Sequence, residues 1–487
     1  MTERTYTLPQ DNPYARYQAA RKAHWDSITE WMSRHTGLGG YYHRRLASIY
    51  RFYVAPNARV LEIGCSQGDL LSSLNPAYGV GIDFSETMIE QARARHPEHT
   101  FFVMDAHELD LGADTRFDYI ILSDLLNDLW DIQLVLDQVA RYTTPHTRLI
   151  INSYSRLWEI HLSIAEKLGL ARPVLYQNWL TVEDIHNLLT ISGFEPVRHW
   201  QEILFPFNIP LLTPLCNRLL VRIFPFNELA LTNFIIARPK PPATPGMKKP
   251  SVSVVIPARN ESGNIPAIFE HPPRFDGDTE LIFIEGHSKD NTNQVIREQI
   301  ERHPELNCSL YQQTGIGKGN AVREGFNYAH HDILMIVDAD LTVPLFYLPR
   351  FYAAIASGDG DFINGVRLVY PMEKQSMKFL NFLGNKFFSL VFSWLIGQPV
   401  KDTLCGTKVF WKHDYEQIVK NRDYFGDFDP FGDFDLLLGA AKLGLKILDL
   451  PVRYRERTYG TTNIQRWKHG WLLAKMTWFA AKRLKFI

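Results

Sequence analysis

Cysteine is scarce in this chain of 487 residues, which contains four. They stand at positions 65, 216, 308 and 405, so no two of them form the Cys-x-x-Cys pair typical of a structural zinc site. Nor does their spacing suggest a disulfide framework, which small secreted domains build from many closely spaced cysteines. We therefore expect free thiols in a reducing compartment, and so a cytoplasmic protein.

Long apolar runs are missing as well. No stretch reaches the about 18 uninterrupted apolar residues that a membrane-spanning helix requires. Residues 203–225 come near, but four prolines and two arginines interrupt them, and residues 379–397 contain Asn381, Asn385 and Lys386. We expect both segments to lie on a membrane or to pack, rather than to span. The polar residues 1–14 lack the apolar core of a secretory signal, so we expect none.

An excess of charge of either sign is also absent. The chain has 52 basic and 53 acidic residues and a formal charge of -1, which gives no support to a nucleic-acid partner, and we expect none. Its apolar and charged fractions, 45% and 22%, are ordinary for a folded protein. A chain of this length exceeds what one core usually supports, so we expect two domains.

Proline is concentrated at residues 238–250, which predict a semi-rigid linker because proline favours extended backbone. The linker would separate a first domain, residues 1–237, from a second, residues 251–487. Each part alternates between strand-like apolar runs, turns and helical patterns. That alternation is typical of α/β domains with mostly parallel sheets.

The first domain has a series of apolar runs that end on acids or glycines. Residues 59–63 predict a buried strand that breaks into a turn containing Gly64 and Gly68, whose missing side chains let the backbone approach a ligand. About twenty residues on, Asp83 ends a second strand, where a carboxylate suits the two hydroxyls of a ribose. A third strand leads to Asp105 and a fourth to Asp124.

Over residues 40–155 this series resembles the class I S-adenosylmethionine-dependent methyltransferases. The resemblance implies a seven-stranded Rossmann-like sheet and a cofactor site made by Glu62, Gly64, Cys65, Gly68, Asp83, Asp105 and Ala106. In that family the glycine turn contacts the methionine part of the cofactor. Asp83 would hold the ribose, and Asp105 would face the adenine amine.

Alternatives remain for these residues. A dehydrogenase would share the glycine turn and Asp83, although its turn is usually Gly-x-Gly-x-x-Gly, and the two aspartates could instead cap the helices that follow them. Asp124 and Asp128 lie four residues apart on a predicted helix, where they form either a solvated acidic face, which we favour, or a base for a hydroxyl or carbon-acid acceptor. Residues 200–230 would cover the acceptor site.

The second domain shows another series of strand ends. Strand 252–256 closes on Pro257 and a polar turn, strand 280–284 ends at Glu285, and a glycine loop surrounds Lys318. Strand 332–337 is followed by Asp338 and Asp340. Because side chains alternate between the two faces of a strand, these two acids lie on the same side of the strand end. A hard divalent cation prefers such oxygen ligands, and a nucleotide diphosphate would supply more.

Over residues 250–463 these motifs resemble family 2 glycosyltransferases, and among them the polyprenyl-phosphate mannose and glucose synthases. The resemblance implies a GT-A fold, a nucleotide-sugar donor and a polyprenyl phosphate or glycan acceptor. It places Mg2+ or Mn2+ on Asp338 and Asp340. The implied donor-binding residues are Pro257, Arg259, Asn260, Glu261, Glu285, Ser288, Lys318, Asp338 and Arg457.

Two positions depart from that family. Gly286 stands where a second acid is usual, which leaves the identity of the base open, and Asn463 replaces a lysine, although Arg457 is retained. Asp402 belongs to the turn that faces the acceptor in the family. Asp433 and Asp435 are candidates for a general base if the acceptor is a hydroxyl, whereas an ionised phosphate needs none. They could equally be acids at a helix N-terminus, which the helix dipole favours.

The last thirty or so residues are basic and aromatic. No acid follows Glu456, while Lys468, Lys475 and Lys482 recur every seven residues beside several tryptophans. This pattern predicts a basic amphipathic helix on an anionic membrane surface, or else a helix packed on its own domain with a basic outer face.

Together these features predict a bifunctional enzyme of two α/β domains, peripheral on the cytoplasmic face of a membrane. The second domain would transfer a sugar to a polyprenyl phosphate or glycan, with inversion. The first would methylate an intermediate of the same pathway. The alternatives are a glycosyltransferase acting on a soluble glycan, or a chain in which one domain is a non-catalytic binding module.

Overall fold

The computed structural model describes residues 13–34, 40–168, 174–241, 249–369, 379–421, 433–455, 457, 459 and 466–486. The chain divides into two compact units, Met1–Lys240 and Pro241–Ile487. This division falls inside the predicted linker, of which residues 242–248 lie outside the described ranges. Arg238 and Pro239 were predicted as linker, but they end the last strand of the first unit. The strand continues because the buried Arg238 side chain forms an ion pair with Glu195 at 2.8 Å.

The first unit is built of alternating strands and helices. In chain order they are α1 (Pro13–Arg34), α2 (Gly40–Tyr53), β1 (Arg59–Ile63), α3 (Asp69–Ser73), β2 (Tyr78–Asp83), α4 (Glu86–Arg95), β3 (Thr100–Val103), β4 (Tyr119–Ser123), α5 (Ile132–Ala140), β5 (Arg148–Tyr154), α6 (Glu159–Lys167), α7 (Val182–Ile191), β6 (Phe194–Glu202), the short α8 (Leu212–Pro214) and β7 (Thr232–Pro239).

Its strands form one seven-stranded sheet in the order β3-β2-β1-β4-β5-β7-β6. The first five in this order are parallel, while β7 is antiparallel to both β5 and β6. The central strands are apolar without interruption because helices cover both faces, and Val60, Leu61 and Ile63 are fully buried. The carboxyl ends of the five parallel strands therefore meet at one edge, where the predicted acids lie.

Capping residues fix where several helices of this unit begin. The side chain of Ser85 accepts a hydrogen bond from the backbone of Met88 at the start of α4. Thr181 forms a reciprocal capping box with Asp184 at the start of α7. Such caps satisfy backbone N–H groups that the first helical turn leaves unpaired, and they hold each strand-to-helix connection in place.

The second unit repeats the alternation with a longer series. Its elements are β8 (Val252–Ala258), α9 (Ile265–Glu270), β9 (Thr279–Glu285), α10 (Thr292–Arg302), β10 (Cys308–Gln312), α11 (Lys318–Tyr328), β11 (Ile333–Ile336), α12 (Leu348–Ala356), β12 (Phe362–Val366), α13 (Phe379–Ile396), β13 (Lys408–Trp411), α14 (Lys412–Lys420), α15 (Asp433–Lys442), β14 (Ile447–Pro451) and α16 (Arg466–Ala480).

These strands form a second seven-stranded sheet, in the order β10-β9-β8-β11-β13-β12-β14. The strands from β10 to β11 are parallel, and β13 runs antiparallel to both of its neighbours. The two sheets confirm the predicted fold class of two α/β domains. The reversed β13 brings the turn that precedes it to the edge where β8, β9 and β11 end.

The two apolar segments singled out in the sequence take different forms. The first becomes a series of short helical turns between β6 and β7, including α8, and the second forms α13. Within the described ranges, every helix falls short of the length and apolarity needed to cross a bilayer.

Candidate active sites

The glycine turn of the first unit is shaped by its neighbours. Gly64 and Gly68 both have φ of +75°, a region that side chains disfavour. A Cβ on Gly68 would come within 2.7 Å of the Phe101 ring, and one on Gly64 within 2.8 Å of Leu125. The turn therefore needs glycine at both positions, and it presents the buried Cys65 to the space above the sheet edge.

Glu62, at the end of β1, is a buried acid with an unused acceptor. Its Oε2 atom makes no hydrogen bond with any described residue, although the side chain lines the cavity above the sheet. Burial raises the pKa of Glu62 to about 8. An ammonium group in the cavity would satisfy this oxygen and restore its charge, so the residue fits the amino group of S-adenosylmethionine.

Asp83 is held rigidly at the end of β2. Its two carboxylate oxygens accept hydrogen bonds of 2.9 Å from the backbone of Ser66 and of Ser85. Burial raises the pKa of Asp83 despite these bonds. The carboxylate faces the same cavity as Glu62, and each oxygen keeps a second lone pair for a ribose hydroxyl.

Asp105 has partners that the sequence did not predict. Tyr14 and Gln18, both on α1, donate hydrogen bonds to its Oδ2 atom, and His107 contacts Oδ1 at 2.8 Å. Burial would raise the pKa of Asp105, but the hydrogen bonds from His107 and Tyr14 outweigh burial and lower it. Ala106 lines the cavity beside it. The predicted contact with adenine stays a prediction.

The helix α1 contacts the segments that follow β2, β3 and β4 at the sheet edge. Besides Asp105 at the end of β3, it contacts Ser85 after β2 through Asp26 at 2.6 Å and Asp128 after β4 through Arg21 at 2.5 Å. The motif match began at residue 40 and missed this helix. The signal that could have found it is the spacing of Tyr14, Gln18 and Arg21, which places three polar residues on one helix face.

The predicted helix shared by Asp124 and Asp128 is wrong. Asp124 lies in a loop with φ of +51°, and Asp128 ends a separate 3-10 turn. The backbone turns at Asp124 because its carboxylate accepts hydrogen bonds from Asn152 at 2.6 Å and from the buried Tyr42 hydroxyl at 2.9 Å. Asp124 therefore lines the cavity instead of a solvated helix face.

One cavity of about 1520 Å³ is lined by Glu62, Gly64, Cys65, Asp83, Asp105, Ala106 and Asp124, whereas Gly68 shapes the turn without lining the cavity. Drug-sized ligands usually occupy roughly 300–1,000 Å³, so the cavity has room for a cofactor and an acceptor. Away from the glycine turn it is lined by Tyr154, by Trp158 immediately before α6 and by Phe207. The predicted cover, residues 200–230, thus contributes Phe207 to the wall and continues outward from it.

In the second unit each predicted metal ligand has a cationic partner. Lys318 contacts Asp338 at 2.5 Å, and Arg457 contacts Asp340 at 2.5 Å and Glu261 at 3.1 Å. Burial would raise the pKa of Asp338, but Lys318 lowers it. The two carboxylates thus offer oxygen donors at one strand end, the donor set that Mg2+ or Mn2+ prefers.

The glycine loop places Lys318 at the start of α11. Gly317 has φ of +92°, which turns the chain into the helix. Glu324 holds the loop from inside the helix, because its carboxylate accepts hydrogen bonds from the backbone of Thr314 at 2.9 Å and of Gly315 at 3.3 Å. A helix N-terminus with a lysine in its first turn suits a diphosphate.

The ends of β8 and β9 are tied to each other. Pro257 lies in β8, and Asn260, with φ of +57°, donates from its backbone to the Ser288 hydroxyl at 2.9 Å. Ser288 in turn donates from its backbone to Glu285 at 2.6 Å. These bonds bring the predicted donor residues of the two strands together on one edge.

The departure at Gly286 has a steric reason. A Cβ on Gly286 would lie 3.1 Å from Oε1 of Gln313 and 3.3 Å from Cβ of Arg259. A side chain at this position would therefore require these two neighbours to shift by a few tenths of an ångström. Arg259 itself is exposed at the site.

The predicted catalytic acids differ in their surroundings. Asp402 is fully buried, and Arg367 binds both of its oxygens, at 2.7 and 2.9 Å. Arg367 was missed in the sequence, and this pairing favours a positioning role for Asp402. Asp435 is buried on α15, while the side chain of Asp433 lies outside the described part of the chain. The catalytic roles of all three stay predictions.

The turn between Asp402 and β13 packs closely against the predicted metal ligands. A Cβ on Gly406 would overlap Oδ2 of Asp338 and lie 2.5 Å from the Lys318 ammonium. The fully buried Lys408 donates to the carbonyl of Cys405 at 2.5 Å and so holds the turn from beneath.

Comparison with known proteins finds both kinds of domain in the chain. A family model described as glycosyl transferase family 2 matches residues 253–418, and one described as a methyltransferase domain matches residues 55–191. The dolichyl-phosphate hexose transferase of Haloferax volcanii is 28% identical over 228 residues, which are 46% of this chain and 91% of that protein. A dolichyl-phosphate beta-glucosyltransferase of Trichomonas vaginalis is 26% identical over 219 residues, 42% of this chain and 66% of that protein. A solved SAM-dependent methyltransferase of Thermotoga maritima is 16% identical with a TM-score of 0.35, covering 46% of this chain and 100% of that one.

Proposed function

For this chain, which joins a SAM-dependent methyltransferase domain to a family 2 glycosyltransferase domain, we propose that the second domain glycosylates a polyprenyl phosphate at a membrane surface. The first domain methylates an intermediate of the same pathway. The observation that carries the proposal is the pairing of Asp338 and Asp340 with Lys318 and Arg457 at one strand end. The names of the curated relatives, which are dolichyl-phosphate sugar transferases, support the acceptor.

In the glycosyltransferase site the charges match a nucleotide diphosphate. Asp338 and Asp340 would hold the divalent cation, which supplies charge neutralisation for the leaving diphosphate. Lys318 and Arg457 orient the donor from the two sides of this carboxylate pair. A polyprenyl phosphate is already ionised and attacks without a base, so the buried, arginine-bound Asp402 has no proton to take.

In the methyltransferase site the residues mainly align the reactants, which is where most of the rate enhancement of methyl transfer arises. S-adenosylmethionine supplies the activated methyl group. Glu62 binds the amino group of the cofactor and Asp83 binds its ribose. Gly64 and Gly68 let the backbone approach the bound methionine part closely.

The C-terminal helix supports a peripheral position on an anionic bilayer. Met476 and Ala480 are buried, whereas Trp471 and Trp478 are about two-thirds exposed, at 66% and 65%. Lys475 and Lys482 lie over the rings of these tryptophans, 5.7 and 5.4 Å from the centroids. Tryptophan and lysine side by side suit the headgroup region, where rings lie shallow and ammonium groups reach phosphate.

Sugar transfer to a lipid acceptor tests the glycosyltransferase proposal. The whole chain is incubated with a panel of labelled nucleotide sugars, Mg2+ or Mn2+, and either vesicles containing polyprenyl phosphate or a soluble glycan. We expect label in the organic phase with one donor, and none in EDTA. Label only in the soluble glycan would contradict the lipid acceptor.

Vesicle flotation tests the membrane contact. The whole chain should float with anionic vesicles at low salt, and the triple variant Lys475→Gln, Lys482→Gln, Arg483→Gln should bind roughly a hundredfold less, since each basic residue contributes about 1 kcal/mol. Removing three exposed charges elsewhere, with Arg297→Gln, Arg302→Gln and Lys420→Gln, is the matched control. Equal loss in both variants would contradict a specific basic surface.

A further inference from the structure

An exposed apolar surface lies on the first unit beside its cavity. We call it the apolar rim: the α6-side residues Leu157, Ile160, Ile164 and Leu168 together with the segment 207–229. Within it Ile160 and Leu168 are 70% and 68% exposed, and Leu211 and Phe224 are 89% and 79% exposed. Apolar patches larger than a few hundred Å² on a soluble surface mark interaction sites.

The segment 157–168, which contains α6, is apolar on two sides. Leu157, Ile160, Ile164 and Leu168, spaced by three or four residues, form the exposed side. The residues offset from them, which include Trp158, Leu162 and Ala165, line the cavity instead. One side therefore lines the cavity, and the other is left exposed by the described residues of the unit.

The segment 207–229 shows the reverse of ordinary surface polarity. Three of its polar side chains are buried, and two of them bond to backbone within or just before the segment: Thr213 donates to the carbonyl of Phe207 at 2.6 Å, and Asn217 donates to that of Phe205 at 2.7 Å. Arg222 forms a buried ion pair with Glu202 at 2.6 Å. Its leucine, isoleucine and phenylalanine side chains are mostly exposed. Water disfavours this arrangement, whereas an apolar medium favours it.

The rim is firmly attached to the unit. The indole N–H of Trp158 donates to the carbonyl of Leu229 at 2.9 Å, which ties α6 to the end of the segment. Asn217 also donates to the hydroxyl of Tyr41 at 2.9 Å. These hydrogen bonds hold the backbone that carries the exposed apolar side chains, so a small local shift would not bury them.

The chemistry of the rim points to lipid rather than to protein. In the segment 207–229 the exposed charges are Arg218 and Glu228, of opposite sign, so the surface offers a partner no net charge to match. Protein interfaces mix apolar with polar and charged groups, particularly tyrosine and arginine. Single aliphatic and phenylalanine side chains that protrude from turns, as Leu211 and Phe224 do, match the headgroup–acyl boundary of a bilayer.

We propose that the apolar rim inserts into the bilayer surface and that the methyl acceptor is a lipid-linked molecule that enters the cavity from there. The rim borders the half of the cavity that lies away from the glycine turn. An acceptor with its apolar chain in the bilayer would thus place its polar head beside Asp124 and Tyr154. This inference rests on the proposed methyltransferase function of the first domain.

Flotation with uncharged vesicles tests the inference on the whole chain. The vesicles contain phosphatidylcholine alone in high salt, which removes the electrostatic contribution of the C-terminal helix. We expect the parent chain to bind them and the variant Leu211→Ser, Phe224→Ser to bind roughly ten- to a hundredfold less, because each substitution removes a large apolar side chain from the lipid. The matched control, Tyr176→Ser with Ile191→Ser, removes two exposed apolar side chains of the same unit and should bind like the parent.

A second measurement reports contact with lipid directly. A tryptophan introduced by Phe224→Trp should be quenched by brominated phosphatidylcholine, whereas one introduced by Tyr176→Trp should not. Sedimentation without lipid identifies the rival occupant. If the parent chain self-associates and the variant Leu211→Ser, Phe224→Ser is monomeric, the rim binds a second copy of the chain and not the bilayer.

Failure of the inference can be told from failure of the proposed function. S-adenosylmethionine binding measured by calorimetry should be the same in the rim variant and in the parent. If the parent binds the cofactor but binds uncharged vesicles no better than the rim variant does, the rim is not a lipid surface, and the methyltransferase assignment stands. If the parent does not bind the cofactor at all, the proposed function itself fails.

Discussion

The two candidate active sites differ in whether their carboxylates are paired with positively charged side chains. In the first domain Glu62 is buried, one of its oxygens has no hydrogen-bond partner among the residues that the structure describes, and burial raises its pKa to about 8. In the second domain Asp338 and Asp340 are already paired with Lys318 and Arg457. A ligand that carries its own positive charge can complete the first site without help. A polyanionic ligand needs the second site, where two cations and a metal ion can outweigh the acids.

The largest effect expected from this difference is at the metal site. Asp340→Asn should lower sugar transfer about a thousandfold or more, because it removes a charged ligand and leaves Arg457 without its strongest partner. Binding of S-adenosylmethionine should not change. Transfer rates measured with the labelled donor check this, and Asp359→Asn, an exposed acid of the same unit, is the control. Retained transfer would show that the carboxylate pair does not hold the metal.

The turn against Asp338 should be almost as sensitive. Gly406→Ala would push a methyl group into the Asp338 carboxylate, so we expect roughly a hundredfold loss of transfer from displaced metal ligands. Gly384→Ala is the matched control, since a Cβ there meets no atom within 4 Å. A Gly406→Ala enzyme with normal metal dependence would contradict the close fit of this turn.

In the first domain Asp83→Ala should weaken cofactor binding by roughly ten- to a hundredfold, since hydrogen bonds to a charged group contribute about 1.5–3 kcal/mol each. Calorimetric titration with S-adenosylmethionine measures this. Asp114→Ala, at an exposed acid of the same domain, should bind like the parent. Unchanged affinity in the Asp83 variant would contradict the assignment of Asp83 to the ribose.

The most diagnostic effect concerns the charge of Glu62. Below pH 8 the free side chain is largely protonated, so binding of the cofactor ammonium should release a proton, and affinity should rise about tenfold per pH unit from pH 6 toward pH 8. Calorimetry in buffers of different ionisation enthalpy counts the released proton. In Glu62→Gln the release should vanish.

The same variant gives a test of stability. A carboxyl whose folded pKa is raised to about 8 costs free energy above its unfolded pKa, in the range that includes pH 7. Glu62→Gln should therefore raise the melting temperature of the free protein at pH 7. A lower melting temperature would mean that Glu62 is paired in the free protein after all.

The sequence predicted those features of the sites that depend on residues close together in the chain. The glycine turn, Asp83 and the pair Asp338 and Asp340 follow directly from strand ends, and both sheets were expected. Contacts between distant residues were not. Tyr14 forms a hydrogen bond with Asp105, 91 residues away in the sequence, and Arg367 forms one with Asp402, 35 residues away. No local sequence pattern predicts either pair.

Other differences arose from single backbone angles or from occupied space. The left-handed backbone at Asp124 replaced a predicted helix, because Tyr42 and Asn152 draw the carboxylate to the cavity. Gly286 stands where the family usually has an acid, and the side chains of Arg259 and Gln313 lie close to it. The apolar segment before β7 was recognised in the sequence, but its buried polar side chains become evident only in three dimensions.

The central claim, that one chain carries two sites of opposite charge preference, is tested most directly by two titrations of the same sample. S-adenosylmethionine should bind with one site per chain and with equal affinity in Mn2+ and in EDTA. A nucleoside diphosphate, chosen by the donor panel, should also bind at one site per chain, but only with Mn2+. Absence of cofactor binding, or diphosphate binding that is as strong in EDTA, would contradict the claim.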